Sequence, residues 1–274
     1  MVQRDFKMEW LNKTCHRRIS MRYIKAKRIQ TTVSAMVLTV GFFGPIESLA
    51  SDVIKHQIKL KSECVVLLHG LARSSASLSK MGNYLKRAGY RVVNRDYSSR
   101  KLPIEKLADQ TVSHAVQTCD EHKAKKIHFV SHSMGGILIR YYLSQHQLVN
   151  LGHIVMLSPP NKGSEVVDKL RNVPGFYAIN GPAGMQLGTD KNSLPNQLQP
   201  VDYPVGIITG NKSINLILSL LIPGIDDGKV SVENARLDGM TDFLVVEHTH
   251  PMIMRSDDVI RQTEFFLKHR QFKR

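Results

Sequence analysis

A serine lies where the chain is predicted to turn from a strand into a helix. Ser133 is the central residue of the segment 131–135, which follows an apolar run at 127–130 and precedes a helical pattern at 137–143. A serine hydroxyl exposed in such a turn can act as a nucleophile when a histidine accepts its proton. The alternative is a glycine-containing turn with an ordinary serine at a helix N-terminus.

Possible partners for this serine follow later in the chain, again after apolar runs. Asp226 and Asp227 precede a glycine after one run, and His248 and His250 follow the next. Catalytic groups gather at the carboxyl ends of strands in open parallel sheets. A neutral histidine can accept the serine proton, and a buried carboxylate can hold that histidine in the required tautomer. The alternatives are a surface histidine and a turn in which Asp-Gly supplies only the bend.

The elements that would position these residues alternate between short apolar runs and helical patterns. This alternation predicts an α/β fold with a mostly parallel central sheet, helices on both faces and right-handed crossovers. The predicted strands are 64–68, 91–94, 127–130, 153–157, 203–210 and 242–246, and the predicted helices are 78–88, 104–122, 137–143 and 259–269.

The pattern around Ser133 resembles that of the α/β-hydrolase family, specifically its bacterial lipase and esterase branch. The family places small residues two positions before and two positions after its nucleophile. Gly135 meets the second requirement, whereas Ser131 replaces the usual glycine at the first. The resemblance implies an α/β-hydrolase fold in which Ser133 is the nucleophile.

The resemblance also implies which of the later residues act with Ser133. Asp227 corresponds to the acid of the D-G-x-V loop of bacterial lipases, with Asp226 as the alternate. His250 fits the family's base better than the alternate His248. The family order of serine, acid and base is therefore present along the chain.

A glycine at the end of the first predicted strand extends the resemblance to an oxyanion hole. Gly70 precedes Leu71, and the resemblance implies that the backbone N–H groups of Leu71 and Met134 stabilise the oxyanion. The 12 histidines are scattered, and neither common phosphate-binding glycine loop is present. We therefore expect no metal and no organic cofactor.

These features predict a serine hydrolase that cleaves carboxylic esters, with acyl lipids as the expected substrates, through an acyl-enzyme on Ser133. The family fold does not fix the substrate. One alternative is an acyltransferase or deacylase that acts on an envelope glycolipid with the same three residues. Another is a non-catalytic envelope-binding protein on the same fold.

Two segments outside the predicted sheet bear on the substrate. Residues 159–202 contain several prolines with weak periodicity and stand where lipases often carry a cap, so we expect a lid-like insertion there. Residues 214–222 are strongly apolar and are expected to line an acyl groove or to contact a membrane peripherally. The alternative for this second segment is a buried core helix.

The N-terminal segment has the order of a secretory signal peptide. A basic region at residues 1–30 precedes an apolar run at 31–43 and a small-x-small site that ends at Ala50. We expect a leader over 1–50 with cleavage after Ala50, initiation at Met21 as a hypothesis, and one domain over 51–274. The product would be periplasmic or secreted, or tethered to the inner membrane by an uncleaved leader.

The composition excludes several classes of protein. Hydrophobic residues make up 42% of the chain and charged residues 22%, which is typical of globular proteins rather than disordered ones. The formal net charge is +15, and nine of the 38 basic but only three of the 23 acidic residues fall in 1–50. The remaining charges are interspersed without stacking aromatics or a helix-turn-helix signature, so we do not expect nucleic acid as a partner.

The cysteines bear on the compartment. Export would place Cys64 and Cys119 in an oxidising environment. The start of a strand and the end of a nearby helix share one layer of an α/β fold, so a disulfide between them is geometrically feasible. Two separate buried thiols are the alternative.

Overall fold

A computed structural model describes residues 62–274; the predicted leader lies outside them. The six strands in this part of the chain are β1 Glu63–Leu68, β2 Arg91–Asn94, β3 Lys126–His132, β4 Leu151–Leu157, β5 Val205–Gly210 and β6 Asp242–Val246. They form one sheet in the order β2-β1-β3-β4-β5-β6, and every neighbouring pair is parallel. Because parallel strands require crossover connections, each of the five links between successive strands contains at least one helix.

The helices include all four that the sequence predicts, together with short ones in the connections. They are α1 Ser79–Arg87, α2 Ile104–Glu121, α3 Met134–Gln145, α4 Glu165–Leu170, α5 Phe176–Met185, α6 Leu194–Gln197, α7 Leu216–Ser219, α8 Val232–Ala235 and α9 Asp257–His269. Single 3₁₀ turns span Ser75–Leu78 and Ile253–Arg255.

The core lies in two layers, one on each face of the sheet. Alternate residues of β1 divide between them: Cys64 and Val66 pack with α2 and α3, whereas Val65 and Leu67 pack with α1 and α9. Successive side chains of a strand point to opposite faces, and a sheet covered on both faces therefore needs continuous apolar strands. The predicted parallel sheet with helices on both faces is confirmed.

The insertion between β4 and β5 carries three helices, α4 to α6. Helix α5 is kinked at Gly181, whose φ of 64° is favourable for glycine and which precedes Pro182. A Cβ atom on Gly181 would lie 1.9 Å from the Arg100 carbonyl oxygen, so α5 packs directly on the loop after β2. That these helices move as a lid stays a prediction.

The apolar segment after β5 lies on the surface. Ile214 and Leu216 are each 74% exposed, Ile217 is 76% exposed and Leu220 is 86% exposed. The alternative of a buried core helix is therefore wrong, because the segment forms only the single turn α7 and these four side chains are exposed; Ile222 at its end is buried. Across residues 62–274, no helix has the length and hydropathy that a membrane crossing requires.

A disulfide joins β1 to α2. Cys64 and Cys119 are both fully buried, their Cα atoms are 5.8 Å apart, and they are separated by 55 residues in sequence. The structure thus contains the disulfide rather than two separate thiols. A cross-link of this span restricts the unfolded chain while it ties a helix to the sheet core.

Removing this disulfide is expected to destabilise the protein strongly. The loop-entropy relation gives a loss of about 4 kcal/mol for a loop of this length, because the reduced chain gains freedom only when unfolded. The measurement is urea unfolding of the oxidised protein and of a Cys64→Ala/Cys119→Ala variant, each with and without reductant. Reductant should shift the midpoint of the wild type alone; an unchanged midpoint would contradict a stabilising cross-link.

Candidate active site

Ser133 occupies a strained turn between β3 and α3. Strand β3 ends at His132 and helix α3 begins at Met134, so the turn consists of Ser133 alone. Its φ of 53° and ψ of −127° are unusual for a non-glycine residue. Its N–H donates to the Leu157 carbonyl at 2.8 Å, which fixes the turn against β4. The residue is partly exposed, so the turn presents a hydroxyl at the carboxyl edge of the sheet.

Two glycines allow the backbone to pack closely around this turn. A Cβ atom on Gly135 would lie 2.5 Å from the Leu68 carbonyl oxygen, so only glycine lets α3 begin against the end of β1. A Cβ atom on Gly70 would lie 3.1 Å from the Ser133 Cβ. The segment after β1 therefore lies directly beside Ser133.

Asp227 and His250 form a buried hydrogen-bonded pair. Asp227 is 0% exposed and His250 is 4% exposed. The His250 Nδ1 and the Asp227 Oδ2 are 2.8 Å apart, and the His250 N–H donates to the Asp227 carbonyl at 2.8 Å. The other carboxylate oxygen accepts the N–H groups of Lys229 at 3.0 Å and Val230 at 2.9 Å.

The surroundings of Asp227 favour its charged form. Burial raises the pKa of the carboxyl, but the His250 ring, the Ser158 hydroxyl and the Val230 N–H outweigh burial and hold that pKa below its ordinary value of 3.8. An ionised carboxylate can only accept hydrogen bonds, so Nδ1 of His250 carries the proton in this pair. The other ring nitrogen, Nε2, is then the basic one.

His132, the residue before Ser133, connects the serine turn to His250. The His132 Nε2 lies 2.9 Å from the His250 carbonyl oxygen and donates to it, and the two ring centroids are 4.7 Å apart. The His132 Nδ1 has no hydrogen-bond partner in the part of the chain that is described. The structure therefore brings Ser133, Asp227 and His250 to one edge of the sheet, through a contact that the sequence analysis missed.

Acidification is expected to destabilise the fold through His132. Burial, with the neighbouring His250 and nearby cations, lowers the pKa of His132 well below its ordinary value of 6.5. As the pH falls through 6.5, the unfolded chain binds a proton that the folded protein does not, so stability present above that pH is progressively lost below it. The urea concentration at the midpoint of unfolding should therefore fall as the pH is lowered from neutral to mildly acidic.

The matched variants for this measurement are His132→Gln and His122→Gln. His122 is exposed at the end of α2, whereas His132 is buried. Below pH 6.5 the unfolding midpoint of His132→Gln should fall less steeply with pH than that of the wild type. The midpoint of His122→Gln should change with pH as the wild type does. Parallel curves for all three proteins would contradict the assignment to His132.

The two alternate residues make contacts elsewhere. Asp226 Oδ1 accepts from the Ser219 hydroxyl at 2.7 Å and from the Gly228 N–H at 2.6 Å, so this carboxylate shapes its own turn. His248 Nε2 lies 2.9 Å from both carboxylate oxygens of Asp258 in α9. Neither alternate takes part in the Asp227–His250 hydrogen bond.

The backbone N–H groups of Leu71 and Met134 flank the serine turn. Among residues 62–274 neither has a hydrogen-bond acceptor. Met134 is the first residue of α3, where N–H groups have no partner within the helix. Leu71 lies in a turn closed by a 3.2 Å hydrogen bond from the Arg73 N–H to the Gly70 carbonyl. Both groups are therefore free to donate to an anion beside Ser133.

His69 and Tyr97 connect the turn that carries Leu71 to the loop after β2. Their rings stack with centroids 3.9 Å apart, and the Tyr97 hydroxyl donates to the His69 carbonyl. The Ala72 N–H donates to the Ser99 hydroxyl at 3.0 Å, which adds a second tie to the loop after β2. Within residues 62–274, no group of three or more His, Cys, Asp or Glu is arranged to hold a metal ion.

Comparison with known proteins agrees with this architecture. The family described as alpha/beta hydrolase fold matches residues 63–178, which include β1, β3 and the Ser133 turn. No curated protein matches the chain.

Several solved structures share the fold. The mature lipase BlEst2 from Bacillus licheniformis is 20% identical, with a TM-score of 0.61 over 77% of this chain and 93% of that one. Phospholipase PlaB from Legionella pneumophila is 16% identical, with a TM-score of 0.59 over 77% of this chain and 60% of that one. A structure from the metagenome-derived lipolytic enzymes LipS and LipT is 17% identical, with a TM-score of 0.56 over 76% and 94% of the two chains. The chain has the α/β-hydrolase fold, and residues 63–178 match the family model of that name.

Proposed function

We propose that this protein is a serine hydrolase that cleaves carboxylic esters, with acyl lipids as its substrates. The observation that carries the proposal is the buried Asp227–His250 pair at the same sheet edge as the strained, partly exposed Ser133. A hydroxyl is a weak nucleophile until a base removes its proton, and an ionised carboxylate orients such a base. The solved structures of lipases, a phospholipase and lipolytic enzymes with this fold support the same reaction class.

The proposed acylation step transfers one proton and forms one covalent bond. The Ser133 Oγ attacks the ester carbonyl carbon while His250 accepts the hydroxyl proton at Nε2. The carbonyl oxygen becomes an oxyanion that the N–H groups of Leu71 and Met134 stabilise. As the tetrahedral intermediate collapses, His250 returns the proton to the departing alcohol and an acyl-serine remains.

The deacylation step uses water in place of the alcohol. His250 removes a proton from water, whose oxygen attacks the acyl-serine carbonyl through the same oxyanion site. Collapse then releases the carboxylic acid and returns the proton to the Ser133 oxygen. Asp227 stays ionised throughout and stabilises the imidazolium that forms twice per cycle.

The surface segment after β5 supports an apolar substrate. Ile214, Leu216, Ile217 and Leu220 are exposed immediately before the loop that carries Asp227. Exposed apolar clusters of this kind commonly mark membrane or ligand contacts. We propose that this segment contacts the lipid surface from which the substrate is drawn.

We also propose that the protein works outside the cytoplasm. The order of basic region, apolar run and small-x-small site in residues 1–50 supports export. The Cys64–Cys119 disulfide agrees with an oxidising compartment. N-terminal sequencing of the native protein tests cleavage after Ala50.

The test of the proposed function is hydrolysis of p-nitrophenyl esters from acetate to palmitate, with fluorophosphonate labelling of the purified protein. A serine hydrolase should form a covalent phosphonyl adduct on Ser133 and release p-nitrophenol. An activity maximum at long chains would support a lipase, and a maximum at short chains an esterase. Absence of both the adduct and hydrolysis would overturn the proposal and leave a binding protein on this fold.

A further inference from the structure

A cavity of about 420 Å³, with both polar and apolar walls, lies beside the turn that carries Leu71. Its walls come from that turn, from the loop after β2 and from α5, and they include Arg73, Tyr97, Arg100 and Lys101. Small-molecule sites commonly have volumes of 300–1,000 Å³. The proposed reaction uses none of the three cations in these walls.

The charges of this cavity have one sign. Arg73, Arg100 and Lys101 are its charged wall residues, and within residues 62–274 none of them forms an ion pair. The Arg100 guanidinium donates to the Ile179 carbonyl at 3.3 Å, its one hydrogen bond within the described part of the chain. Asp96 accepts the N–H of Ser75, and in the described residues its carboxylate forms no ion pair with these cations.

A fourth positively charged residue, Lys229, belongs to the loop that carries Asp227. Lys229 lies two residues after Asp227 and its N–H binds the Asp227 carboxylate. Burial of part of its side chain and the charge of Arg73 lower the pKa of Lys229. The charge of Arg73 acts on His132 in the same sense. The positive charge of Arg73 therefore acts both on the loop that carries Asp227 and on the residue before Ser133.

Several contacts connect the cavity walls to the turn of the proposed oxyanion hole. The Ala72 N–H donates to Ser99, a buried serine of the cavity wall, and the Tyr97 ring stacks on His69. Helix α5 closes the opposite wall, since Gly181 contacts the Arg100 backbone and a Cβ atom on Gly184 would lie 2.9 Å from the Leu71 Cδ2. A group bound in the cavity would thus lie beside the turn that carries Leu71.

We propose that this cavity binds an anionic group of the substrate, a phosphate or a carboxylate, while the ester carbonyl of the same molecule lies at Ser133. Two guanidinium groups match the oxygens of such anions through paired hydrogen bonds. The three cationic wall residues suit a charged headgroup rather than an acyl chain. The inference rests on the proposed function and narrows its substrates to acyl esters that carry a negative charge.

The first experiment compares matched pairs of esters that differ in one anion. The lipid pair is 1-acylglycerol 3-phosphate against 1-acylglycerol with the same acyl chain. The soluble pair is mono-p-nitrophenyl glutarate against p-nitrophenyl butyrate. The wild type should prefer the anionic member of at least one pair by on the order of tenfold in kcat/KM. Preference in the lipid pair assigns a phosphate headgroup, and preference in the soluble pair alone assigns a carboxylate.

The variants test whether the cavity causes this preference. The cavity variant, Arg73→Gln/Arg100→Gln, removes two cavity cations. The control variant, Arg87→Gln/Arg261→Gln, removes two exposed arginines of α1 and α9. These two helices pack on the sheet face opposite α2 and α3. The cavity variant should lose most of the preference, whereas the control should retain it. Equal preferences in both variants, or no anion preference in the wild type, would overturn the inference.

A binding measurement separates this inference from the proposed function. Calorimetry with glycerol 3-phosphate, glycerol and inorganic phosphate needs no turnover, and binding of glycerol 3-phosphate should be lost in the cavity variant. A protein that cleaves neutral esters but neither prefers nor binds anions would refute the inference alone. A protein that binds glycerol 3-phosphate through the cavity but cleaves no ester would refute the proposed function alone. Binding of inorganic phosphate without any preference among esters would assign the cavity to free phosphate and refute the substrate role.

Discussion

Replacing Ser133 with alanine is expected to reduce kcat for ester hydrolysis by at least on the order of 10⁴-fold. The proposed mechanism requires the Ser133 oxygen to form the acyl intermediate, and alanine offers no atom that can replace it. Residual catalysis from the N–H groups of Leu71 and Met134 would remain small. The measurement is single-substrate kinetics with a soluble p-nitrophenyl ester, together with loss of fluorophosphonate labelling.

The control for this variant is Ser131→Ala, two residues earlier, near the end of strand β3. The Ser131 hydroxyl is buried and has no hydrogen-bond partner among residues 62–274, so its removal should leave kcat within a few-fold of the wild type. Both variants keep a Cβ atom and should show wild-type circular dichroism. Substantial activity in Ser133→Ala, or equal losses in the two variants, would contradict the assignment of the nucleophile.

The sheet could be predicted from sequence because burial on both faces leaves a local signature. Parallel strands covered by helices on both faces must be apolar along their length. Each apolar run in the sequence therefore identifies one strand, and the neighbouring strands need not be known. The apolar run 127–130 locates the strand Lys126–His132. The last two residues of that strand are polar, so hydropathy does not show where the strand ends. Element boundaries depend on individual hydrogen bonds, which hydropathy does not report.

The proposed active site could be predicted in part because its residues follow strands. The ends of parallel strands converge at one edge, so the order of Ser133, Asp227 and His250 already implied proximity. The contact between His132 and the His250 carbonyl joins residues 118 positions apart and has no periodic signature. The choice between Asp227 and Asp226 rested on resemblance, because adjacent carboxylates look alike until their hydrogen-bond partners are known.

The surface features were the least accessible to sequence analysis. Hydropathy identified the apolar segment 214–222 but not its exposure, because apolar side chains give the same pattern in a core and on a surface. The cationic cavity combines Arg73 with Arg100 and Lys101 from a separate loop, and neither segment has an unusual local charge. Such sites arise from packing between loops, which no local pattern encodes.

Asp227→Asn is expected to reduce kcat by on the order of 10³- to 10⁴-fold, whereas Asp226→Asn should change it only a few-fold. An asparagine at 227 cannot stabilise the imidazolium that His250 becomes, and it permits the wrong tautomer of that ring. An asparagine at 226 keeps an oxygen that can accept from Ser219 and Gly228, as the aspartate does. The kinetics use the soluble ester at neutral pH.

The two variants are closely matched, because each replaces one carboxylate with an amide of the same shape in adjacent positions. Unfolding measured against pH adds a readout independent of turnover. The lowered pKa of Asp227 contributes stability that is fully present above pH 3.8 and is lost as the pH falls towards the folded value, so wild type and Asp227→Asn should converge at strongly acid pH. Equal losses of kcat at the two positions would mean that neither carboxylate alone orients His250. A larger loss for Asp226→Asn would reverse the assignment of the acid.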